Sequence, residues 1–203
     1  VTVRKGEPWG ERGALPSDGV VVRSDAEARA VVEAARRAGA PVPPLGLLAG
    51  DLCRTLGGRG DEARLRSAEA TRATVDLGSV LLDGRTHWFL AHLVARRSWW
   101  RGRVVAVMGA QWLGRWDVAP RAHPGDGLLD VVDGDLALGQ RIKARRRLPS
   151  GGHLPHPGLR VQRTGALQLD LSPPLDVWLD GVAVGRAHHL SIRVEADAVE
   201  VVV

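Results

Sequence analysis

Two spacings of apolar residues divide the chain. Val1 to Asp18 is rich in Gly and Pro and has little periodicity, after which the short apolar run Gly19–Arg23 reads as a strand. Asp25 to Gly39 places Ala30, Val31, Ala34, Ala35 and Ala38 at helical intervals, with Ser24 or Asp25 as N-cap and Gly39 just past the end. Pro41-Val42-Pro43-Pro44 interrupts the chain, Leu45–Leu48 reads as a second buried strand, and Asp61–Ala70 as a helix. Strand and helix in alternation predict an α/β unit over residues 1–73. From Thr74 the pattern shortens to strands at Thr74–Val80, His87–Leu93, Val104–Ala110, Leu129–Val132, Gly158–Arg163, Ala166–Leu171, Leu175–Leu179, His189–Glu195 and Val199–Val203. Turn chemistry is placed at Asp83-Gly84, Asp133-Gly134, Ser172-Pro173-Pro174 and Asp180-Gly181, and one helix at Ala137–Leu148. Residues 74–203 are thereby predicted to form a mainly antiparallel β-sandwich, giving an α/β plus β fold.

Composition changes this picture little. With 203 residues, 44% hydrophobic and 25% charged, the chain can bury one good core or two small ones. Its single cysteine, Cys53, rules out an intrachain disulfide, and no run is apolar enough for a membrane-spanning helix, so a cytoplasmic protein is expected. The net charge of +5 comes from arginine, concentrated at Arg141, Lys143, Arg145, Arg146 and Arg147. Such a cluster suits an anionic lipid surface, with peripheral membrane contact, or else a solvated arginine-rich face. Nucleic acid is not expected as a partner: there is no Tyr, one Phe, and the seven Trp do not alternate with the basic runs. His153 and His156 form an HxxH pair, but the adjacent prolines oppose a helical zinc geometry and no cysteine is near.

Four stretches carry a resemblance. The segment 119–132, APRAHPGDGLLDVV, sets one acidic turn between an apolar approach and an apolar strand. It is followed in order by HLPHPG at 153–158 and VWLDG at 177–181, and preceded by PLGLL at 44–48 and DLCRTLG at 51–57. Together these resemble the diacylglycerol kinase/sphingosine kinase family of lipid kinases, best over the second half of the chain. The resemblance implies a small nucleotide-binding-like α/β domain before the β-sandwich domain, and an ancestral ATP- and Mg2+-dependent phosphorylation of a lipid hydroxyl.

Carried over residue by residue, the resemblance puts Asp25 and Asp51 at nucleotide-binding positions and Asp180 at the catalytic cleft. It makes Asp126 a Mg2+ ligand, assisted by the carbonyls of His123 and Leu128. The departures are specific. The family's glycine-rich phosphate cradle is replaced by Arg23-Ser24-Asp25-Ala26-Glu27, and only Ala49-Gly50 stands where its second phosphate-contacting core belongs. The carboxylate regarded as proton acceptor is replaced by Val182, which accepts no proton. Gly125 stands where a second acidic residue is usual, which weakens any Mg2+ site. Read without the resemblance, Asp25 and Asp51 are helix starts and Asp180-Gly181 is a hairpin turn.

The expectation is therefore a catalytically impaired homologue, a pseudoenzyme that binds a lipid or a partner, with ATP binding weak or absent. Two alternatives stand beside it: an active ATP- and Mg2+-dependent kinase acting on a diacylglycerol-like hydroxyl, and an interaction module pairing with a homologous chain or with itself.

Overall fold

The computed structural model describes residues 9–82 and 84–203. Residues 1–8 of the first predicted segment and Asp83 of the Asp83-Gly84 turn lie outside them. In chain order the elements are β1 (Glu11–Arg12), β2 (Val20–Val22), α1 (Asp25–Ala38), β3 (Leu45–Leu47), α2 (Asp51–Thr55) and α3 (Glu62–Leu65). Then come β4 (Thr71–Leu82), β5 (Arg85–Phe89), β6 (His92–Arg96), β7 (Val104–Met108), β8 (Trp112–Leu113), β9 (Trp116–Asp117) and β10 (Leu129–Gly134). The chain closes with α4 (Leu138–Arg147), β11 (Leu159–Thr164), β12 (Ala166–Leu179) and β13 (Val182–Val202).

One sheet joins nearly all the strands in the order β1-β4-β13-β12-β6-β7-β10-β11. β5 pairs with β4, and β2 and β3 attach in parallel to the end of β13. Strand β13 is the spine. Its first half pairs with β12 and packs over the core of Leu93, Val107, Leu129, Leu171, Leu179 and Ile192. Between Glu195 and Val199 its register shifts, at a residue with φ of 52°, Asp197. The last residues then belong to a second core, where Val199 and Val201 meet Val32, Leu45, Leu47 and Leu52 of the α/β segment. Within the sandwich Gly78 faces Phe89 across β4 and β5, and a Cβ there would come within 2.2 Å of the ring. A larger residue would have to displace Phe89, which is fully buried.

The α/β plus β reading holds, and α1 is as the periodicity predicts: Ser24 Oγ accepts the Glu27 amide at 3.1 Å, and Gly39 closes the helix at φ 65°. Several boundaries differ, each for a local reason. The helix expected over Asp61–Ala70 stops at Leu65, because Ser67 folds its amide and hydroxyl back onto the Arg64 carbonyl. Asp133 and Gly134 are not a turn; both lie in β10, paired with Arg160 and Leu159. Ser172-Pro173-Pro174 does not reverse the chain either. It sits in a register break inside the single strand β12, where the prolines lack the N–H that a ladder needs. The strand predicted over His87–Leu93 is broken at Leu90 and Ala91, whose amides are taken by a side chain, that of Asp180.

Candidate functional site

Asp180 and Gly181 form the two-residue loop between β12 and β13, with φ of 49° and 83°. Both residues are in the left-handed region that such a hairpin demands. The carboxylate does not face water. It turns inward, is buried, and accepts the amides of Leu90 at 3.0 Å, Ala91 at 2.9 Å and His92 at 3.0 Å. The Asp180 amide in turn donates to the His92 carbonyl. Burial raises the Asp180 pKa, and the three amides and His92 oppose that rise.

Asp25, the first residue of α1, is also buried. Its carboxylate reaches across to the start of α2 and accepts the Asp51 amide at 2.6 Å and the Leu52 amide at 3.1 Å. It thereby caps a helix whose own N-cap residue, Gly50, has no side chain to do so. Asp51 is thus not the cap of α2; the cap contact comes from Asp25, residues away in sequence. Gly50 holds a φ of 110°, and a Cβ on it would stand 2.5 Å from the Asp25 oxygen, so only glycine fits. Burial first, then the charge of Asp180, pushes the Asp25 pKa from 3.8 up to about 6.

The Asp51 side chain is free of capping duty and faces the sandwich. It accepts the Gly114 amide at 2.9 Å and lies 3.1 Å from Nε2 of the buried His92. Burial works against its ionised form, but His92, the Gly114 amide and Arg54 prevail and hold its pKa below the usual carboxylate range. For His92 burial lowers the pKa, yet the Asp51 hydrogen bond and the charges of Asp180, Asp51 and Asp25 carry the net shift upward. Arg54 stacks 3.4 Å over the Trp112 ring and donates to the Gly114 carbonyl, fastening the β8–β9 hairpin over α2. Cys53 is core: burial, then Asp25, pushes its thiol up to about 11, far from a nucleophile.

Three residues singled out in the sequence, Asp25, Asp51 and Asp180, therefore meet in one cluster. Asp25, Asp51 and His92 offer ligand atoms within 4.8 Å of one another, an arrangement that could hold a cation. His92 was missed. Its only sequence signal is a lone imidazole inside the apolar run Phe89 to Ala95.

Asp126, His123 and Leu128 lie on the loop before β10, in a different environment. One Asp126 oxygen accepts the Leu128 amide at 3.1 Å and the other is ion-paired to Arg163, which also binds Asp130 at 3.2 Å. The neighbouring Gly127 amide goes to Asp76 at 2.7 Å. The Arg163 guanidinium thus sits against the Asp126 carboxylate.

The basic cluster divides as well. Lys143, Arg146 and Arg147 are exposed on α4, beside exposed Leu138 and Ile142 one turn apart. Arg141 turns inward, 8% exposed, bound to the Leu136 and Gly102 carbonyls and to Asp135. Arg145 stacks on Trp100 and Trp116 at 4.7 and 4.8 Å. Beneath α4 lies an open-mouthed apolar cleft of about 120 Å³, lined by Trp99, Trp116, Val132, Leu148 and Leu159 among others. His153 is buried in its wall, and burial lowers its pKa.

A sheet spine with an α/β appendage thus carries an acidic cluster at their junction and an apolar cleft on the sandwich. The chain is similar to three crystal structures from Bacillus anthracis str. Sterne, each with 91% of this chain covered. One, a candidate diacylglycerol kinase, superposes with TM-score 0.69 at 14% identity over 77% of its length. A diacylglycerol kinase follows with 0.62 at 14% over 75%, and another candidate diacylglycerol kinase with 0.64 at 13% over 77%. Residues 74–203, more than half of the chain, match the YegS C-terminal NAD kinase beta sandwich-like domain, and the chain belongs to that family. No curated protein matches it. Among the described residues no helix is long and apolar enough to cross a membrane.

Proposed function

We propose that this chain is a catalytically impaired member of the lipid-kinase fold that binds an amphiphile and does not transfer phosphate. The observation that carries the reading is the Asp25 carboxylate on the α2 amides. Backbone amides at a helix start are the groups that would receive a phosphate, and here the protein's own anion takes both of them. A phosphate brought there would also meet Asp51 and Asp180. Each charge pair at about 4 Å costs on the order of 4 kcal/mol at an effective dielectric near 20, so two or three such pairs outweigh any hydrogen bond still on offer.

Lipid binding is supported by the apolar cleft under α4, whose lining of Trp99, Trp100, Trp116, Val132, Leu148 and Leu159 suits part of an apolar chain. The exposed Lys143, Arg146 and Arg147 on α4 suit an anionic headgroup or membrane. The second reading, an active kinase, draws on the convergence of Asp25, Asp51, Asp180 and His92. A divalent cation between carboxylates and phosphates would reverse the sign of the Coulomb argument. Calorimetric titration of the chain with ATP in excess Mg2+ separates the two. No saturable heat supports the impaired reading, and micromolar affinity overturns it.

A further inference from the structure

The cleft under α4 holds one polar feature that its own residues leave unanswered. His153 lines it and is 4% exposed, and neither of its ring nitrogens has a hydrogen-bond partner among the described residues. Because both are unmatched, whichever of them meets the cleft is open to a ligand. The Val118 carbonyl and the Asp117 carboxylate lie close enough to favour a proton on the ring, yet neither closes a hydrogen bond of ordinary geometry with it. Buried polar atoms are matched as a rule, so a chain that supplies no partner here leaves the contact to a molecule outside it.

Size and polarity narrow the occupant. The cleft's volume of about 120 Å³ is near that of apolar cavities of about 150 Å³ that hold a single benzene ring. Its walls include Trp99, Trp116, Leu136, Leu148 and Leu159, which suit such a ring. Two guanidiniums also reach it, but both are engaged. Arg141 is held by the Leu136 and Gly102 carbonyls and by Asp135, and Arg145 lies against the faces of Trp100 and Trp116. An anion at His153 would meet the Asp117 charge that the ring already feels, and a cation would meet those guanidiniums. A neutral polar group meets neither objection. The neutral imidazole offers one donor and one acceptor, and a hydroxyl both donates and accepts, so it completes the ring in either tautomer.

We propose that His153 is the polar anchor of this cleft, and that the cleft takes a neutral, ring-sized apolar group carrying a hydroxyl, as in phenols and cyclic alcohols. The assignment rests on the cleft being the amphiphile site proposed above and names the group recognised there.

Phenol and its near-isostere toluene separate the anchor from the cleft. Each is titrated by calorimetry into the full chain and into His153→Leu, with the exposed His188→Ala as a control. In a wholly apolar cleft the hydroxyl is a handicap, because burying it unpaired costs affinity. The parent should instead bind phenol at least as tightly as toluene. His153→Leu should lower the phenol-to-toluene affinity ratio by about tenfold or more and leave toluene nearly unchanged. His188→Ala should alter neither. In the parent, phenol and not toluene should move the His153 imidazole nitrogen resonances, a readout that stands even should His153→Leu fail the circular dichroism check of its fold. Toluene binding with phenol about tenfold weaker in the parent overturns the His153 assignment and leaves the cleft as a binding site. An unchanged ratio in a folded His153→Leu, or an equal loss of both probes in it, does the same. Failure of both probes to bind the parent at millimolar concentration overturns the assignment and the cleft reading together.

Discussion

Replacing Asp180 by Ala tests whether this carboxylate is a fixture of the fold. Its two oxygens accept three buried amides, those of Leu90, Ala91 and His92. Alanine leaves all three donors without an acceptor, at about 1–3 kcal/mol each. Two effects modify that sum. Burial raises the Asp180 pKa, so the ionised group itself carries a cost that alanine removes. The φ of 49° adds a penalty of about 1 kcal/mol, because alanine tolerates the left-handed region less well than Asp or Asn. The net expectation is a loss of roughly 3 kcal/mol. Asp180→Asn keeps the oxygen position that serves Ala91 and His92 and sets an NH2 against the Leu90 amide, so about 1–2 kcal/mol is expected. Val182→Ala, two residues on and 41% exposed, should cost under about 0.5 kcal/mol. Urea denaturation with an unchanged m-value reads all three. An Asp180→Ala variant within 1 kcal/mol of the parent, or no less stable than Val182→Ala, would refute the reasoning.

Other outcomes follow from neighbouring groups. Asp25 holds its proton more tightly folded than unfolded, with its pKa raised from 3.8 to about 6. Its contribution to stability is thus greatest below pH about 4 and is lost as pH rises through about 6, by on the order of 3 kcal/mol. Stability–pH curves of the parent and Asp25→Asn should diverge in that window, and parallel curves would count against it. Vesicle binding should require anionic lipid, weaken with salt, and fall by on the order of 3 kcal/mol when Lys143, Arg146 and Arg147 are neutralised together. Equal binding to zwitterionic vesicles would leave α4 a solvated face. Because Arg163 occupies Asp126, millimolar Mg2+ should not raise the melting temperature of the parent. A rise abolished by Asp126→Asn would restore a cation site there.

The sequence is informative where a signal is local. The α1 boundaries follow from Ser24 and Gly39, and most strands of the sandwich from alternation between turn residues. Boundaries fail where a distant group takes over the backbone. Nothing near Leu90 and Ala91 announces that Asp180, far along the chain, will consume their amides. The same holds for the site. Asp25, Asp51 and Asp180 stand out as acidic residues beside helix or turn signals, but their meeting depends on β13 carrying the chain from sandwich to α/β segment. That Asp25 would cap α2 is invisible in a sequence that reads as a start of α1, and His92 looks like one more residue of an apolar strand. The inward turn of Arg141 within a run of basic residues is likewise set by the Leu136 and Gly102 carbonyls, a tertiary circumstance.

The most direct test of the central claim is transfer of radiolabelled γ-phosphate from ATP to diacylglycerol in mixed micelles with Mg2+. With Asp25 already on the α2 amides, the parent should transfer no more label than a protein-free control. Transfer that is well above that control, proportional to protein and lost in Asp25→Asn would contradict the account and make the chain a working kinase.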